Sequence, residues 1–170
     1  MLRTFDDTYM GITSTLIAAT DEELLAAAPG WVFPNDQPVV SKVPNPFAPD
    51  GSPVDHFDWG ERPAQGAEWF SPKGLPHLHD LELNAGPVGL FETLSQRKPT
   101  LAERIELERP GLLSPLEAYT TGVFRLPEFL CELLLHCDEH ASFDEEGGAM
   151  VREFVLAARA SGRAVFLYWE

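Results

Sequence analysis

The stretch from Ser142 to Trp169 constrains the fold most. Met150, Val151, Phe154, Val155 and Ala158 recur at helical spacing, which predicts an amphipathic helix with one apolar stripe. Ser142 stands at its N-cap with Glu145 three residues on, and Gly162 sits where a helix gives way to a left-handed residue. Ala164-Val165-Phe166-Leu167-Tyr168-Trp169 follows and hardly alternates. A strand with no polar side needs cover on both faces, so this one is expected in the middle of a sheet.

The remaining segments supply that cover. Ile12 to Ala19 is rich in β-branched and apolar residues and predicts a first strand, with residues 1–10 expected to be frayed and Met10 an alternative start. Thr20-Asp21-Glu22-Glu23 is a capping box, and the signature recurs at Thr100–Glu103, Ser114–Glu117 and Ser142–Glu145. Helices are expected through Leu24, Leu25 and Ala28, after Pro87 as far as Leu94, and over Leu101–Glu108. Another follows Pro127 and buries Phe129, Leu130, Leu133, Leu134 and Cys137 on one face.

Strands are expected at Val39–Val43, Val54–Trp59, His77–Leu83 and Tyr119–Leu126. In the third, the apolar phase shifts between Leu78 and Leu81, which predicts a bulge. Pro44 to Ser52 is dense in turn residues, sharpest at Asp50-Gly51, so residues 31–76 read as a loop-rich hairpin region. Together these elements predict one α+β domain over residues 1–170. It has a small mixed or antiparallel sheet, several short helices, a longer helix at 142–161 and the strand at 164–169 in the centre.

Charge narrows the function. The 27 Asp and Glu outnumber 12 Lys and Arg, for a net charge of -15 and a pI near 4.6. Such a chain repels phosphate backbones, so nucleic acid is not an expected ligand, and it attracts basic partners. Cys131 and Cys137, six residues apart on one helix, diverge too far for a disulfide. Acids at Asp6, Asp7 and Asp21–Glu23 bracket the only apolar run near the start, unlike a secretory signal. No run approaches the roughly 18 apolar residues of a membrane span. A cytoplasmic protein with no membrane contact is expected.

Chemistry-bearing motifs are sparse. His136-Cys137-Asp138-Glu139-His140 matches the H-x-x-E-H pattern in which two histidines bind zinc and the glutamate polarises water. The third ligand would have to come from Glu145, Glu146 or Glu153. The simpler reading is two histidines stabilised at a helix C-terminus by its dipole. His77-x-His79 places two imidazoles on one strand face, again either a ligand pair or solvated side chains. No nucleophile elbow, P-loop or dinucleotide fingerprint is present, so no cofactor is expected. Cys137 reads as a buried, inert thiol, and Glu128 and Glu132 should raise the pKa of Cys131.

One surface stands out. Asp50, Asp55, Asp58, Glu61 and Glu68 are interleaved with Phe57, Trp59, Trp69 and Phe70. Rigid aromatics among charges are the composition of interface hot spots, and the acids would orient a basic partner. Alternatively the tryptophans fold back over the sheet and the acids solvate a loop.

Met10-Gly11-Ile12-Thr13-Ser14-Thr15-Leu16, Thr20-Asp21-Glu22-Glu23-Leu24, the Asn45-Pro46-Phe47 turn and the Phe166-Leu167-Tyr168-Trp169 run resemble small bacterial cytosolic proteins of the immunity-protein type. The resemblance implies a non-enzymatic protein-binding module that neutralises a basic toxin. A small metal-dependent hydrolase using His136, Glu139 and His140 is the alternative, and an acidic structural subunit the third.

Overall fold

The computed structural model describes residues 14–28, 37–60, 74–81, 86–109, 122–137 and 145–169. Six strands and five helices lie among them: β1 (Ser14–Ala19), α1 (Asp21–Ala27), β2 (Val39–Pro44), β3 (Pro53–Asp58), β4 (His77–Leu81), α2 (Pro87–Ser95), α3 (Leu101–Glu108), β5 (Gly122–Arg125), α4 (Glu128–Leu134), α5 (Glu145–Ala160) and β6 (Ala164–Trp169). The fold is α+β. Strands β4, β1, β6 and β5 form one sheet in that order, and β2 and β3 form a separate two-stranded sheet. Every pairing is antiparallel.

β6 is interior, between β1 and β5, as its unbroken apolar run predicts. Its side chains alternate between two buried layers. Val165 and Leu167 join Leu16 and Ala18 of β1 against helices α2, α4 and α5. Phe166 and Tyr168 join Ile17, Ala19 and Val123 against Leu24 of α1 and the adjoining Ala28. The period-2 geometry of a strand makes both layers from one run of sequence.

The expected bulge is present. Ser14 pairs with Leu81 and Leu16 with Leu78, so β4 carries one more residue than β1 over that interval. On α5 the stripe is narrower than its sequence suggests: Val151, Val155 and Ala158 are buried and Phe154 packs at the margin, but Met150 is 47% exposed. Met150 is one helical turn before Phe154, on the flank that already leads out of the core. Gly162 ends the helix at φ 69°, with the Arg163 amide donating to the Ala158 carbonyl at 2.9 Å and the Gly162 amide to Arg159 at 3.0 Å. That pattern is a Schellman motif, and it turns the chain straight into β6. The N-cap expected at Ser142 and the box expected at Ser114 lie outside the described residues.

Both described capping boxes do a second job. In α1 the Thr20 amide donates to Glu23 Oε2 at 2.9 Å, and Arg163 grips the same carboxylate through Nε (2.9 Å) and Nη2 (2.8 Å). In α3 the Thr100 amide donates to Glu103, and Arg97 forks onto it at 2.7 and 2.5 Å. Each arginine first, and each cap amide second, holds its carboxyl well below the usual 4.5, at about 2. A depressed carboxyl pKa adds stability that is complete above the unfolded value and is lost as pH falls through the folded one. Wild-type protein is therefore expected to lose melting temperature between pH 4.5 and about 2. A Glu23→Gln/Glu103→Gln variant should be less stable at pH 7 and fall less steeply over that window. Parallel curves in a pH series of thermal melts would contradict this.

Candidate partner-binding surface

The β2–β3 hairpin stands apart from the main sheet, and its register defines its two sides. Val39 faces Asp58, Ser41 faces His56 and Val43 faces Val54, while Val40 faces Phe57 and Lys42 faces Asp55. Directly opposed residues share a face. In the second group Phe57 and Asp55 are turned toward α3, while Val40 is 41% exposed. Phe57 is 8% exposed beneath the Arg104 guanidinium, 5.0 Å from its ring centroid. Asp55 is bound across the strands by Lys42 at 2.7 Å, with Arg104 at 4.0 Å. Just past the strand, Arg109 lies over Trp59 at 5.7 Å.

The first group forms an outer face on which Val39 and Val54 are exposed and Val43 is half-buried. Val39 is 69% exposed. At the tip, the Phe47 amide donates to Asn45 Oδ1 at 3.0 Å and the Ala48 amide to the Asn45 carbonyl at 3.2 Å. Asp50 Oδ1 accepts from the Ser52 amide (3.0 Å) and hydroxyl (2.6 Å), with Gly51 at φ 67° between them. These bonds lower the Asp50 carboxyl pKa, the Ser52 hydroxyl first. They also fix a loop that holds Phe47 in solvent at 91% exposure. At the opposite end, Asp58 Oδ1 accepts from the Gly60 amide at 2.9 Å.

The residues expected at a partner surface therefore divide. Asp50 and Asp58 are exposed at the two ends of the hairpin, each closing a local turn. Trp59 is half-buried, Asp55 is ion-paired, and Phe57 is committed to α3. Glu61, Glu68, Trp69 and Phe70 lie outside the described residues. The sequence reading missed Val39, Phe47 and Val54. Their signal was present as a valine-rich strand pair around a phenylalanine fenced by prolines, but nothing local says that such a pair lacks a sheet to cover it.

The other motifs are described only in part. His136 is exposed after α4, and Glu139 and His140 lie outside the described residues. His77 Nδ1 is 2.7 Å from the Leu75 carbonyl, and the His79 side chain is likewise outside the description. Among the described residues no group of three or more His, Cys, Asp or Glu is placed to hold a metal. Cys137 is fully buried, with its thiol on the Gly148 carbonyl at 3.3 Å. Burial, and then Glu128, pushes the Cys131 thiol up to about 12, so it stays undissociated and is no nucleophile.

No helix among the described residues is long and apolar enough to cross a membrane. No protein-family model, curated protein or solved structure matches the chain.

Proposed function

We propose that this chain is a non-enzymatic protein-binding module that takes a basic protein partner on the outer face of the β2–β3 hairpin, as an immunity protein caps a toxin. The observation that carries the reading is the fixed tip that presents Phe47 at 91% exposure beside the outward valines. A two-stranded sheet with an apolar outer side offers the core of an interface. Asp50 and Asp58 flank it, and the net charge of -15 steers cationic surfaces toward it. On a nuclease partner those carboxylates would occupy the place of substrate phosphates.

The test is capture from the source organism with immobilised protein. A basic partner is expected to be retained at low salt and released as salt rises. Val39→Ser/Phe47→Ser/Val54→Ser should weaken it about a hundredfold, at roughly 1 kcal/mol for each of the three side chains. The melting temperature should not change, because these side chains touch solvent. Asp50→Asn and Asp58→Asn keep the turn acceptors and should mainly slow association. A partner that binds the triple variant as tightly as the parent removes the hairpin face from consideration.

A further inference from the structure

One cleft gathers a third of the cations of this acidic chain. It has a volume of about 360 Å³ and is lined by Arg109, Arg125, Arg159 and Arg163, four of the protein's 12 lysines and arginines. They come from four places in the fold: the residue closing α3, the end of β5, the last turn of α5 and the entry to β6. None of the outward hairpin residues contributes to it.

Each guanidinium is tethered from one side. Arg125 uses Nη1 on Asp21 at 3.0 Å, and Arg163 uses Nε and Nη2 on Glu23. Arg159 Nη2 meets both Glu128 and Glu132, the latter at 2.7 Å. Arg109 Nη2 meets Glu106 at 3.0 Å, and its buried Nε has no hydrogen-bond partner among the described residues. A guanidinium carries five N–H donors, so each keeps donors beyond its tether while the tether fixes its plane. That Nε has almost no accessible surface, so contacts to a ligand in the cleft would come from the accessible parts of the guanidinium groups, Arg109 being about a quarter exposed at 27%.

Most of the remaining lining is apolar: Leu126, Phe129, Val155 and Val165 among others. Cys131, also in the lining, is undissociated at neutral pH and brings no negative charge. Glu106 and Glu128 are the acids in the lining, and both are already paired with its arginines. A volume of this order suits a small molecule. An extended polyanion would meet the repulsion of the whole chain, whereas a single anionic group need only reach the N–H donors that the four guanidinium groups keep beyond their carboxylate partners.

We infer that this cleft binds a small organic anion, a carboxylate or phosphate on a compact apolar body, with Arg109, Arg125, Arg159 and Arg163 around the anionic group and Leu126, Phe129, Val155 and Val165 against the body. Calorimetric titration of the full chain with phenyl phosphate, benzoate, inorganic phosphate and neutral benzamide tests it. Saturable binding of phenyl phosphate or benzoate at millimolar concentration is expected, and the tighter of the two identifies the preferred group. Inorganic phosphate and benzamide should each bind at least about tenfold more weakly, since each lacks one half of the contacts.

Arg109→Gln and Arg125→Gln should each weaken binding about tenfold while thermal melts show an intact fold. If either variant fails to fold, amide shifts in labelled parent protein decide instead, and they should move at Ala164, Val165 and Val155. No saturable binding by either organic anion overturns the proposal. So does equal binding of inorganic phosphate, or shifts confined to other parts of the chain.

Discussion

Leu167→Asp is expected to abolish cooperative unfolding. Leu167 is fully buried at the centre of β6, opposite Leu16 on one neighbouring strand and Phe124 on the other. Its side chain lies in the helix-covered layer with Val151, Val155 and Leu130, none of which offers a donor. The substitution forfeits about 1.5–3 kcal/mol of leucine burial. It also places a carboxylate where desolvation without a partner costs several kcal/mol more, or forces protonation. Against a total stability of about 5–15 kcal/mol, that sum leaves little or nothing. Leu167→Met keeps volume and polarity and should cost less than about 1.5 kcal/mol. Near-ultraviolet circular dichroism with a thermal scan checks both. A sharp transition for the aspartate variant within a few degrees of the parent would show that β6 is not the centre of the fold. Val165→Asp, or removal of Val165 to Glu170, probes the same strand and should act in the same direction.

Much of this architecture was written locally. Thr20–Glu23 and Thr100–Glu103 announced two helix starts because a capping box is satisfied within one turn. Gly162 announced a helix end because a left-handed residue is needed there. The β6 run announced burial on both faces because no polar residue interrupts it. The width of the α5 stripe was not local: Met150 continues the apolar pattern, but where the core stops is set by how α5 meets the sheet. Strand order is likewise non-local, since β1 and β6 pair across more than a hundred residues of chain.

The candidate surfaces were less legible for the same reason. The acids and aromatics of residues 50–69 drew attention as a composition, yet composition does not say which side of a strand meets a helix. The register does: it sends Phe57 and Asp55 to α3 and leaves Val39 and Val54 outward. The arginine cleft had no local signal at all. Arg109, Arg125, Arg159 and Arg163 are single cations in four separate stretches, and only the tertiary fold brings them to one lining.

Phe91→Ala should be the most damaging truncation in the helical layer, at about 3–5 kcal/mol. Phe91 is almost fully buried on α2 and meets Phe129 of α4 edge-to-face, with centroids 5.7 Å apart and planes at 90°. The Arg97 guanidinium covers its ring at 4.8 Å and is held there by Glu103 of α3. One ring thus ties three helices, and alanine leaves a cavity that backbone-fixed neighbours cannot close. The edge-to-face pair adds about 0.5–1.5 kcal/mol to the loss. Phe91→Leu should cost clearly less, because it keeps most of the buried volume and forfeits chiefly the ring contacts. Urea unfolding with an unchanged slope gives the two values. A cost below about 1 kcal/mol for alanine would mean that α2 is not packed as described. The loosening should also reach the hairpin. Arg104 and Arg109 cover Phe57 and Trp59 from α3 and its C-cap, so amide exchange in β3 is expected to speed up in Phe91→Ala and to stay near the parent rate in Phe91→Leu.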